Sequence, residues 1–404
     1  MKMAEWKKNL AIMWSAQFIG MSAITGVISF LPLYVTALGI SDVNEVAMWS
    51  GILMGAASLC AALSNPYWGA MADRKGRKPM VEKILLLYGP IMIAMAYVAN
   101  VYQLLILRIL QGLIGGFTAS GMALVISMTP PGEISFTVGM FQTAIIVGGA
   151  AGPMIGGFVA DHFGYRQPFF VFGVLSLFAL VVIHFAIKEK FTPVIESKKV
   201  SLRETFQYIW SLGDLRLMLL VQFLTQFAIQ SIGPVLPLYI RSIVSNSSNL
   251  ASISGVIIAI GGVTSAIASA GMGIMSKRFS HKQILIASSL LGGISFAGQL
   301  AANDIFVLAI LRALNGLCIG AMIPSSNTII TYLIPESKRG AAYGITSSAS
   351  LMGNVFGPLC AGLLSIAFGI SSIFWVTAIL FLAVSALLLV YAKKTYVSCA
   401  EEAA

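Results

Sequence analysis

Two arginines stand alone in long apolar runs of this 404-residue sequence. Arg108 is the one charge in VYQLLILRILQGLIGGFTASGMALVISM, and Arg312 lies in LRALNG, 204 positions further on. A guanidinium offers five N–H donors in a planar fork and stays protonated, so it can bind an anion but cannot carry a proton to and fro. Inside a membrane such a charge is costly unless it faces the protein interior. We therefore expect Arg108 to face a cavity, whereas Arg312 could equally extend to the outer interface.

The composition predicts an all-α integral membrane protein. Hydrophobic residues make up 58% of the chain, charged residues make up 10%, and the mean hydropathy is +0.89, whereas soluble domains carry about 25% charged residues. A hydrocarbon core of about 30 Å needs about 20 apolar residues in a helix. Twelve segments meet this requirement, and we number them spans 1 to 12: 9–37, 46–71, 80–99, 101–128, 135–160, 166–187, 214–240, 250–275, 283–302, 304–332, 339–367 and 371–392.

The basic residues record how the chain is oriented. Assigning alternate gaps to opposite sides puts 21 of the 25 lysines and arginines on one side and only Arg166 and Arg241 on the other, with Arg108 and Arg312 inside spans. Because the cytoplasmic side of membrane proteins is enriched in Lys and Arg, this pattern predicts a multi-pass protein of the cell membrane with both termini cytoplasmic. The net charge of +10 is thereby explained by topology and contact with anionic lipid, and no nucleic-acid partner is expected.

The sequence does not indicate an enzyme, a metal site or a bound cofactor. The four cysteines have no paired spacing and the three histidines are scattered, so neither disulfides nor a metal centre is expected. The nucleotide-binding loop G-x-x-x-x-G-K-[ST] is not in the sequence, so ATP is not expected to drive this chain directly. Buried nucleophiles with an adjacent base are not evident either.

The chain reads as an internal duplication. FLPLY at 30–34 is repeated as VLPLY at 235–239, LRILQG is repeated as LRALNG, and the pairs GP and FG recur at the same offset of 204 or 205. Parallel six-helix repeats of this kind place a binding site near the bilayer midplane and move against each other. The predicted organisation is a six-helix half over 1–187, a charged cytoplasmic linker over 188–212, and a second half over 213–404. Such a duplicated design favours a carrier over a channel.

Three motifs resemble those of one transporter family. GAMADRKGRK at 69–78 resembles the G-x-x-x-D-R-x-G-R-[RK] segment between helices 2 and 3 of the major facilitator superfamily, and LILRILQGLIGG resembles its helix 4 arginine motif. GGAAGPMIGG at 148–157 resembles the helix 5 motif of its proton-coupled exporters. With twelve spans, the chain is most similar to bacterial multidrug–proton antiporters. The resemblance implies the major facilitator fold, proton-coupled export of small drug-like molecules, a monomer and no cofactor.

The resemblance also implies a conformational latch, formed by Gly69, Asp73, Arg74, Gly76 and Arg77. The two glycines are expected to permit a tight loop between spans 2 and 3. Asp73 is expected to accept hydrogen bonds from the unpaired N–H groups at the start of span 11, where the helix dipole favours an anion. The alternative is a solvated basic turn that only obeys topology.

The implied antiporter motif comprises Gly148, Gly152, Pro153, Gly156 and Gly157. Glycines four residues apart share a narrow arc of a helix and let a second helix approach closely, while the proline permits a bend. We expect span 5 to face span 8 through these residues and to limit proton leak. Close packing without any further role is the alternative.

The predicted substrate cavity follows from polar periodicity. On span 7, Gln222, Gln226 and Gln230 recur every four residues, a stripe with no reason to face lipid. Their counterparts in the repeat are Gln17, Met21 and Thr25 of span 1. Further candidates lie on spans 4, 5, 7, 10 and 11: Gln111, Phe141, Gln142, Phe227, Asn315, Asn327, Tyr343, Ser347 and Ser350. Each polar side chain could instead join helices together.

The sequence also constrains the substrate. Of the 15 carboxylates, none is expected well inside a span, so a cationic substrate would find no buried counter-charge. An anionic or zwitterionic substrate, such as one with a phosphonate-like group, would find Arg108. The proton must then travel on the substrate, on a water chain, or on a carboxylate such as Asp161 near the outer end of span 5. Export of an endogenous metabolite or siderophore, or proton-linked uptake of a small solute, stays open as an alternative.

Overall fold

A computed structural model gives the architecture of the chain. It describes residues 5–187, 189, 213–244, 249–334 and 339–391. The predicted linker, 188–212, therefore lies outside the described residues except at Glu189.

The described residues form helices joined by short turns, with no strand among them. Helical segments occur at all twelve predicted spans. Nine spans are single helices, at Val43–Lys75, Arg77–Met95, Ile134–Phe163, Gln167–Ala186, Leu250–Met275, His281–Gln299, Ile305–Leu333, Arg339–Phe368 and Ser372–Tyr391. The predicted all-α membrane fold is confirmed.

Three spans are broken, although the sequence predicted each of them as continuous. Span 1 consists of Glu5–Gly26, a 3-10 turn at Val27–Ser29, and Leu31–Ala37; span 4 consists of Val101–Leu113 and Phe117–Ser127; span 7 consists of Gly213–Ser231 and Leu236–Ile243. The two helices of span 7 are bent by 48° at their break. The breaks fall where proline or glycine follows the apolar run, because proline cannot donate within a helix and glycine tolerates a left-handed backbone.

Length and composition support the membrane assignment. Within the described ranges, nine helices are long and apolar enough to cross a membrane, or ten if the bent pair of span 7 counts as one span. The helices of spans 3 and 9 fall short of that measure, and they begin with the charged stretches RKPMVEK and HKQ. Charges at the start of a helix lower its mean hydropathy without preventing it from reaching the interface.

The chain packs as two compact units. The first comprises 1–42, 52–197 and 246–259, and the second comprises 43–51, 198–245 and 260–404. The first turns of span 8 thus pack within the first unit, and the first turns of span 2 pack within the second. The boundaries of the two predicted halves, 1–187 and 213–404, stay a prediction.

The same tyrosine contact occurs in both units. In the first unit the Tyr34 hydroxyl donates to the carbonyl of Met95 at 2.9 Å, and in the second the Tyr239 hydroxyl donates to the carbonyl of Gln299 at 2.7 Å. Both tyrosines are buried and belong to the repeated LPLY sequence. The internal repeat therefore produces equivalent side-chain packing in the two units.

Spans 1 and 5 pack closely in the first unit. A Cβ atom added to Gly148, Gly152 or Gly156 would lie under 3.0 Å from the span 1 backbone, with Ser22 facing Gly152 and Gly26 facing Gly156. Helices in lipid associate through close van der Waals packing of this kind, because the surrounding lipid is as apolar as their side chains. Spans 1 and 5 accordingly form one rigid pair.

We predict that Gly156→Leu destabilises the protein, because the new side chain would overlap the backbone of Gly26. Overpacking of this kind costs about 1–3 kcal/mol. The free energy of unfolding, measured by thermal denaturation in detergent, should fall accordingly. Gly149→Leu is the matched control, since a Cβ at Gly149 meets no atom within 4 Å. Equal stability of the two variants would contradict the predicted contact.

Candidate functional site

Arg108 lies in a hydrogen-bonded cluster in the first unit. Its Nη1 donates to Oε1 of Gln111 at 3.0 Å, three residues along the same helix. The Gln111 amide Nε2 in turn donates to the Tyr88 hydroxyl at 2.9 Å and lies 3.5 Å from Sδ of Met92. Tyr88 and Met92 are one helical turn apart on span 3. Because Gln111 is held at both ends of its amide, it fixes the orientation of the arginine.

The guanidinium of Arg108 is only partly satisfied by this cluster. The side chain is buried, with 5% of the residue exposed, and its Nε and Nη2 atoms have no hydrogen-bond partner among the described residues. Within the same ranges the ion pairs join Lys78 and His184 to Glu82, so none of them involves Arg108. A buried charge without a counter-charge costs several kcal/mol. The unpaired edge of the guanidinium is therefore a ready binding position for an anionic group, which can accept two N–H bonds at once.

Span 4 breaks less than two turns after Arg108. The first helix ends at Leu113, Gly116 adopts a left-handed conformation with φ +91°, and the second helix begins at Phe117. Only glycine adopts this conformation without strain. The Gly-Gly pair of LIGG is the sequence signal that could have predicted the break.

Side chains of span 2 compensate for the broken helix. The carbonyl of Gly112 accepts from Ser64 Oγ at 3.1 Å, and the carbonyl of Leu113 accepts from Trp68 Nε1 at 2.6 Å. In hydrocarbon a backbone carbonyl without a donor costs several kcal/mol, so irregular backbone persists only where protein groups satisfy it. The sequence analysis missed both Ser64 and Trp68, because their partners are more than 40 residues away along the chain.

Gln17 lies deep in the first unit. It is fully buried and its Nε2 donates to Thr118 Oγ1 at 2.9 Å, which joins span 1 to the second helix of span 4. Its Oε1 is buried and has no partner among the described residues. Gln17 therefore retains one unpaired acceptor.

Other residues predicted for the cavity pack between helices. Thr25 Oγ1 donates to the carbonyl of Met21 at 2.8 Å and lies 3.4 Å from that of Gly148. Phe141 is fully buried, and its ring stands 3.1 Å from where a Cβ on Gly121 would lie. For Thr25 and Phe141 these contacts favour a packing role, and the Met21 Cβ lies against span 5, 2.9 Å from where a Cβ on Gly148 would stand.

The second unit contains a polar cluster around Gln222. Its Nε2 donates to Asn327 Oδ1 at 2.7 Å, and its Oε1 accepts from Ser350 Oγ at 3.4 Å. This brings together three residues that the sequence placed on spans 7, 10 and 11. The other members of the stripe, Gln226 and Gln230, are half-buried.

The remaining candidates are dispersed. Asn315 donates to Ser295 Oγ at 3.0 Å, and Phe227 is buried with its ring 6.0 Å from that of Phe223. Gln142 and Ser347 are exposed. Tyr343 lies in the helix of span 11, but its side chain lies outside the described residues.

The two lone arginines are not equivalent. Arg312 is half-buried, and its Nε is buried without a partner in the described part of the chain. Asn315, which repeats Gln111, donates to Ser295 and makes no hydrogen bond with Arg312 among those described. Arg108 is therefore hydrogen-bonded to a side chain of its own helix, whereas no such bond is described for Arg312.

The segment 69–78 is not a loop, so this part of the sequence prediction was wrong. The helix of span 2 continues to Lys75, and the next helix begins at Arg77. Gly76 alone makes the turn, with φ +100°, while Gly69 lies within the helix. The side chains of Asp73 and Arg74 lie outside the described residues, as do residues 335–338 before span 11. The expected contact of Asp73 with span 11 stays a prediction.

A different carboxylate caps the helix that follows Gly76. Glu189 Oε1 accepts from the backbone N–H of Arg77 at 3.1 Å, and Oε2 accepts from that of Lys78 at 2.8 Å. The N–H groups of a first helical turn have no partner within the helix, and the dipole favours an anion there. Arg77 also donates through Nη1 to the carbonyl of Ala123 at 3.2 Å. Sequence analysis missed Glu189 because it follows Lys78 by 111 residues.

The antiporter motif faces two partners. Gly148, Gly152 and Gly156 face span 1, whereas a Cβ on Gly157 would stand 2.6 Å from the backbone carbon of Ala251 on span 8. Pro153 lies inside a helix that continues without interruption from Ile134 to Phe163. Span 8 thus approaches the motif at Gly157 and at Pro153, whose carbonyl a Cβ on Gly255 would overlap, while span 1 packs against Gly148, Gly152 and Gly156.

Sequence comparison places the chain in a known family. The profile described as Major Facilitator Superfamily matches residues 13–261 and 218–399. The chain belongs to the major facilitator superfamily. Multidrug resistance protein MdtG of Escherichia fergusonii is 35% identical over 376 residues, covering 92% of this chain and 91% of that protein. MdtG of Rahnella sp. (strain Y9602) is 32% identical over 377 residues, covering 93% and 92%.

Solved structures of this superfamily share the fold. The nucleoside transporter NupG matches with a TM-score of 0.81 at 12% identity, covering 96% of this chain and 100% of that one. A D-xylose-proton symporter matches with a TM-score of 0.71 at 16% identity, covering 96% and 97%. This member of the superfamily is a multi-pass membrane transporter and not an enzyme.

We predict that Gly76→Leu slows transport while the protein stays in the membrane. A Cβ at Gly76 would lie 3.3 Å from Glu189 Oε2, so the larger side chain should displace the carboxylate from the start of span 3. Loss of a helix cap costs about 0.5–2 kcal/mol, and about 2 kcal/mol corresponds to a factor of about 30, so the initial rate in vesicles should fall up to about 30-fold.

Gly39→Leu is the control for this substitution. Gly39 has nearly the same backbone, with φ +104°, but nothing within 4 Å of its Cβ position. Gly39→Leu therefore introduces the same backbone strain of a leucine at positive φ, but it does not displace Glu189. If the two variants transported equally fast, the cap would have no role in transport.

Proposed function

We propose that this transporter exports small drug-like molecules across the cytoplasmic membrane in exchange for protons, and that Arg108 binds an anionic or zwitterionic group of the substrate. Two relatives named as multidrug resistance proteins, at 35% and 32% identity over nearly the whole chain, support drug export. The helix 5 motif, which resembles that of proton-coupled exporters, supports antiport. The observation that carries the substrate class is the buried guanidinium of Arg108 with two unpaired nitrogens.

Electrostatics favours an anionic group of the substrate next to Arg108. An arginine in the apolar part of a span is retained only at considerable cost, and Gln111 satisfies one of its nitrogens. An acidic substrate group would supply both the missing acceptors and the missing counter-charge. A cationic group would add a like charge to an already uncompensated site.

The cluster around Arg108 can also orient the substrate. Gln111 holds the guanidinium from one side, and Tyr88 and Met92 hold Gln111. A planar donor fixed in this way recognises a flat carboxylate or a phosphonate-like group better than a flexible ammonium would. Gln17, whose Oε1 is buried and unpaired, is proposed to supply a further polar contact.

The driving force is sufficient for export. A proton moving down a potential of 100 mV supplies about 2.3 kcal/mol, and about 1.4 kcal/mol corresponds to a tenfold concentration ratio. One proton per substrate therefore supports an accumulation of roughly 50-fold. Arg108 itself keeps its proton at all physiological pH values, so the proton travels on the substrate or on another group.

The orientation is part of the proposal. Both termini are placed in the cytoplasm on the strength of the Lys and Arg distribution, and the protein is proposed to act as a monomer in the cell membrane. Protons and small-molecule substrates are then its partners, with membrane lipid around it.

Proton-driven export predicts that cells producing the protein accumulate less drug and lose this difference on adding a protonophore. The reason is that collapse of the proton gradient removes the free energy for antiport. The measurement is efflux from preloaded cells, with inverted vesicles to fix the direction of movement. Efflux that persists with the protonophore would refute proton coupling, and substrate moving inwards with protons would establish uptake instead.

We predict that Arg108→Ala abolishes transport of anionic and zwitterionic substrates, while Arg108→Lys retains part of it. Lysine keeps the charge but loses the planar fork that binds two oxygens at once. Uptake into inverted vesicles measures the rates, with expression checked by immunoblot. Arg241→Ala is the matched control because Arg241 is exposed near the end of span 7. Strong transport of cationic dyes by the wild type that survives Arg108→Ala would show that Arg108 only packs.

A further inference from the structure

Asp161 makes a two-point contact with the start of span 8. Its Oδ1 accepts from the backbone N–H of Ala251 at 3.2 Å, and its Oδ2 accepts from that of Ser252 at 2.6 Å. Span 8 begins at Leu250, so both N–H groups belong to its first turn. Asp161 stands in the last turn of span 5, and all of these residues pack within the first unit.

This contact is stronger than an ordinary surface hydrogen bond. The first N–H groups of a helix have no partner of their own and point towards the positive end of the helix dipole. A carboxylate there makes charge-assisted bonds, which are about twice as strong as neutral ones. The two bonds engage both oxygens and so fix the direction as well as the position of the side chain.

The two helices touch directly below the carboxylate. A Cβ on Gly157 would overlap the carbonyl of Ala251, and one on Gly255 would overlap the carbonyl of Pro153. Spans 5 and 8 therefore lie backbone to backbone over more than one turn. Because such a contact tolerates little sliding, the carboxylate at its end fixes the position of span 8 along span 5. We call this contact between the two spans the crossing.

The second unit provides a natural comparison. There the start of span 2 crosses span 11 in the same way, with Gly51 against the carbonyl of Pro358 and Gly362 against the backbone of Met48. At the offset of 205 that relates Gly157 to Gly362 and Phe163 to Phe368, the counterpart of Asp161 is Ile366, which is exposed. The crossing of spans 2 and 11 therefore has the small residues without a carboxylate at this position.

We propose that Asp161 is a positioning residue for transport: it clasps the start of span 8 to the end of span 5, and this clasp must release in each transport cycle. Spans 5 and 8 belong to different repeats of the sequence, and alternating access moves the repeats against each other. Asp161 thus stabilises the conformation in which the crossing is closed. The inference rests on membership of the superfamily and not on proton coupling.

The clasp can be tested with a buried reporter in span 8. Ser254 is fully buried beside Gly255, so labelling of Ser254→Cys by a maleimide reports when this part of span 8 becomes accessible. The native cysteines are first replaced: Cys60, Cys318, Cys360 and Cys399. A membrane-impermeant maleimide is applied to right-side-out and to inverted vesicles, so the result does not depend on the assumed orientation.

The expected result is faster labelling when the clasp is removed. A helix cap is worth about 0.5–2 kcal/mol, and one or two kcal/mol corresponds to a factor of about 5–30 in a two-state ratio. Asp161→Ala should therefore increase the labelling rate of Ser254→Cys up to about 30-fold. Asp161→Asn, which keeps one acceptor but loses the charge, should give an intermediate increase. Ile366→Ala, at the counterpart position in span 11, should leave the rate unchanged.

Two further measurements separate a clasp from general destabilisation. Ser289→Cys reports from span 9, where Ser289 is fully buried, and its labelling should not respond to Asp161→Ala. Transport kinetics should show a change in kcat with KM preserved, because Asp161 lies outside the proposed substrate site.

The outcomes decide the proposal. Unchanged labelling of Ser254→Cys in both Asp161 variants would overturn it, as would equal acceleration at Ser289→Cys. Transport that proved independent of the proton gradient would overturn the proposed antiport and leave the clasp intact.

Discussion

The requirement that backbone polar groups find partners without water governs this structure. Helices satisfy it along most of each span, and every break must satisfy it in another way. The break in span 4 shows how, since Ser64 and Trp68 donate to the carbonyls of Gly112 and Leu113 that the interrupted helix leaves unpaired. Polar side chains near Arg108 therefore lie where the backbone is irregular, whereas Gln222, Asn327 and Ser350 form a separate cluster in the second unit.

Close approach of helices is the second consequence of a lipid environment. Apolar side chains gain little by leaving lipid for protein, so helices associate where small residues allow backbone contact. Gly152 and Gly156 provide this between spans 1 and 5, and Gly157 and Gly255 provide it between spans 5 and 8. Span 5 thus packs against span 1 of its own repeat and against span 8 of the other repeat. The glycines that the family resemblance assigned to antiport have a direct physical reason in this double contact.

Carboxylates that cap the first turns of helices hold packed spans together through bonds that can release during transport. Glu189 caps span 3 and Asp161 caps span 8, each with both oxygens on two successive N–H groups. Such contacts are specific in direction and worth only a few kcal/mol at most, so they can form and release within a transport cycle. A buried apolar interface of comparable extent would be harder to separate. The resemblance to known exporters directed attention to Asp73, whereas Glu189 and Asp161 make contacts of this kind.

The sequence by itself determined the medium, the fold class, the twelve helical segments, the internal repeat and the family. These depend on local composition and spacing: twenty apolar residues must be a helix in lipid, and GAMADRKGRK or LRILQG can be read without knowing what lies beside it. The polar candidates Arg108, Gln111 and Gln222 could also be found, because polar residues in apolar runs are rare. Only the tertiary structure decided which of them meet, since Gln111 binds Tyr88 from 23 residues away and Gln222 binds Asn327 from 105. The breaks in spans 1, 4 and 7 and the carboxylates that cap spans 3 and 8 were decided there too. Their cause is the satisfaction of particular N–H and carbonyl groups by distant side chains, and that pairing becomes defined only when the helices are packed.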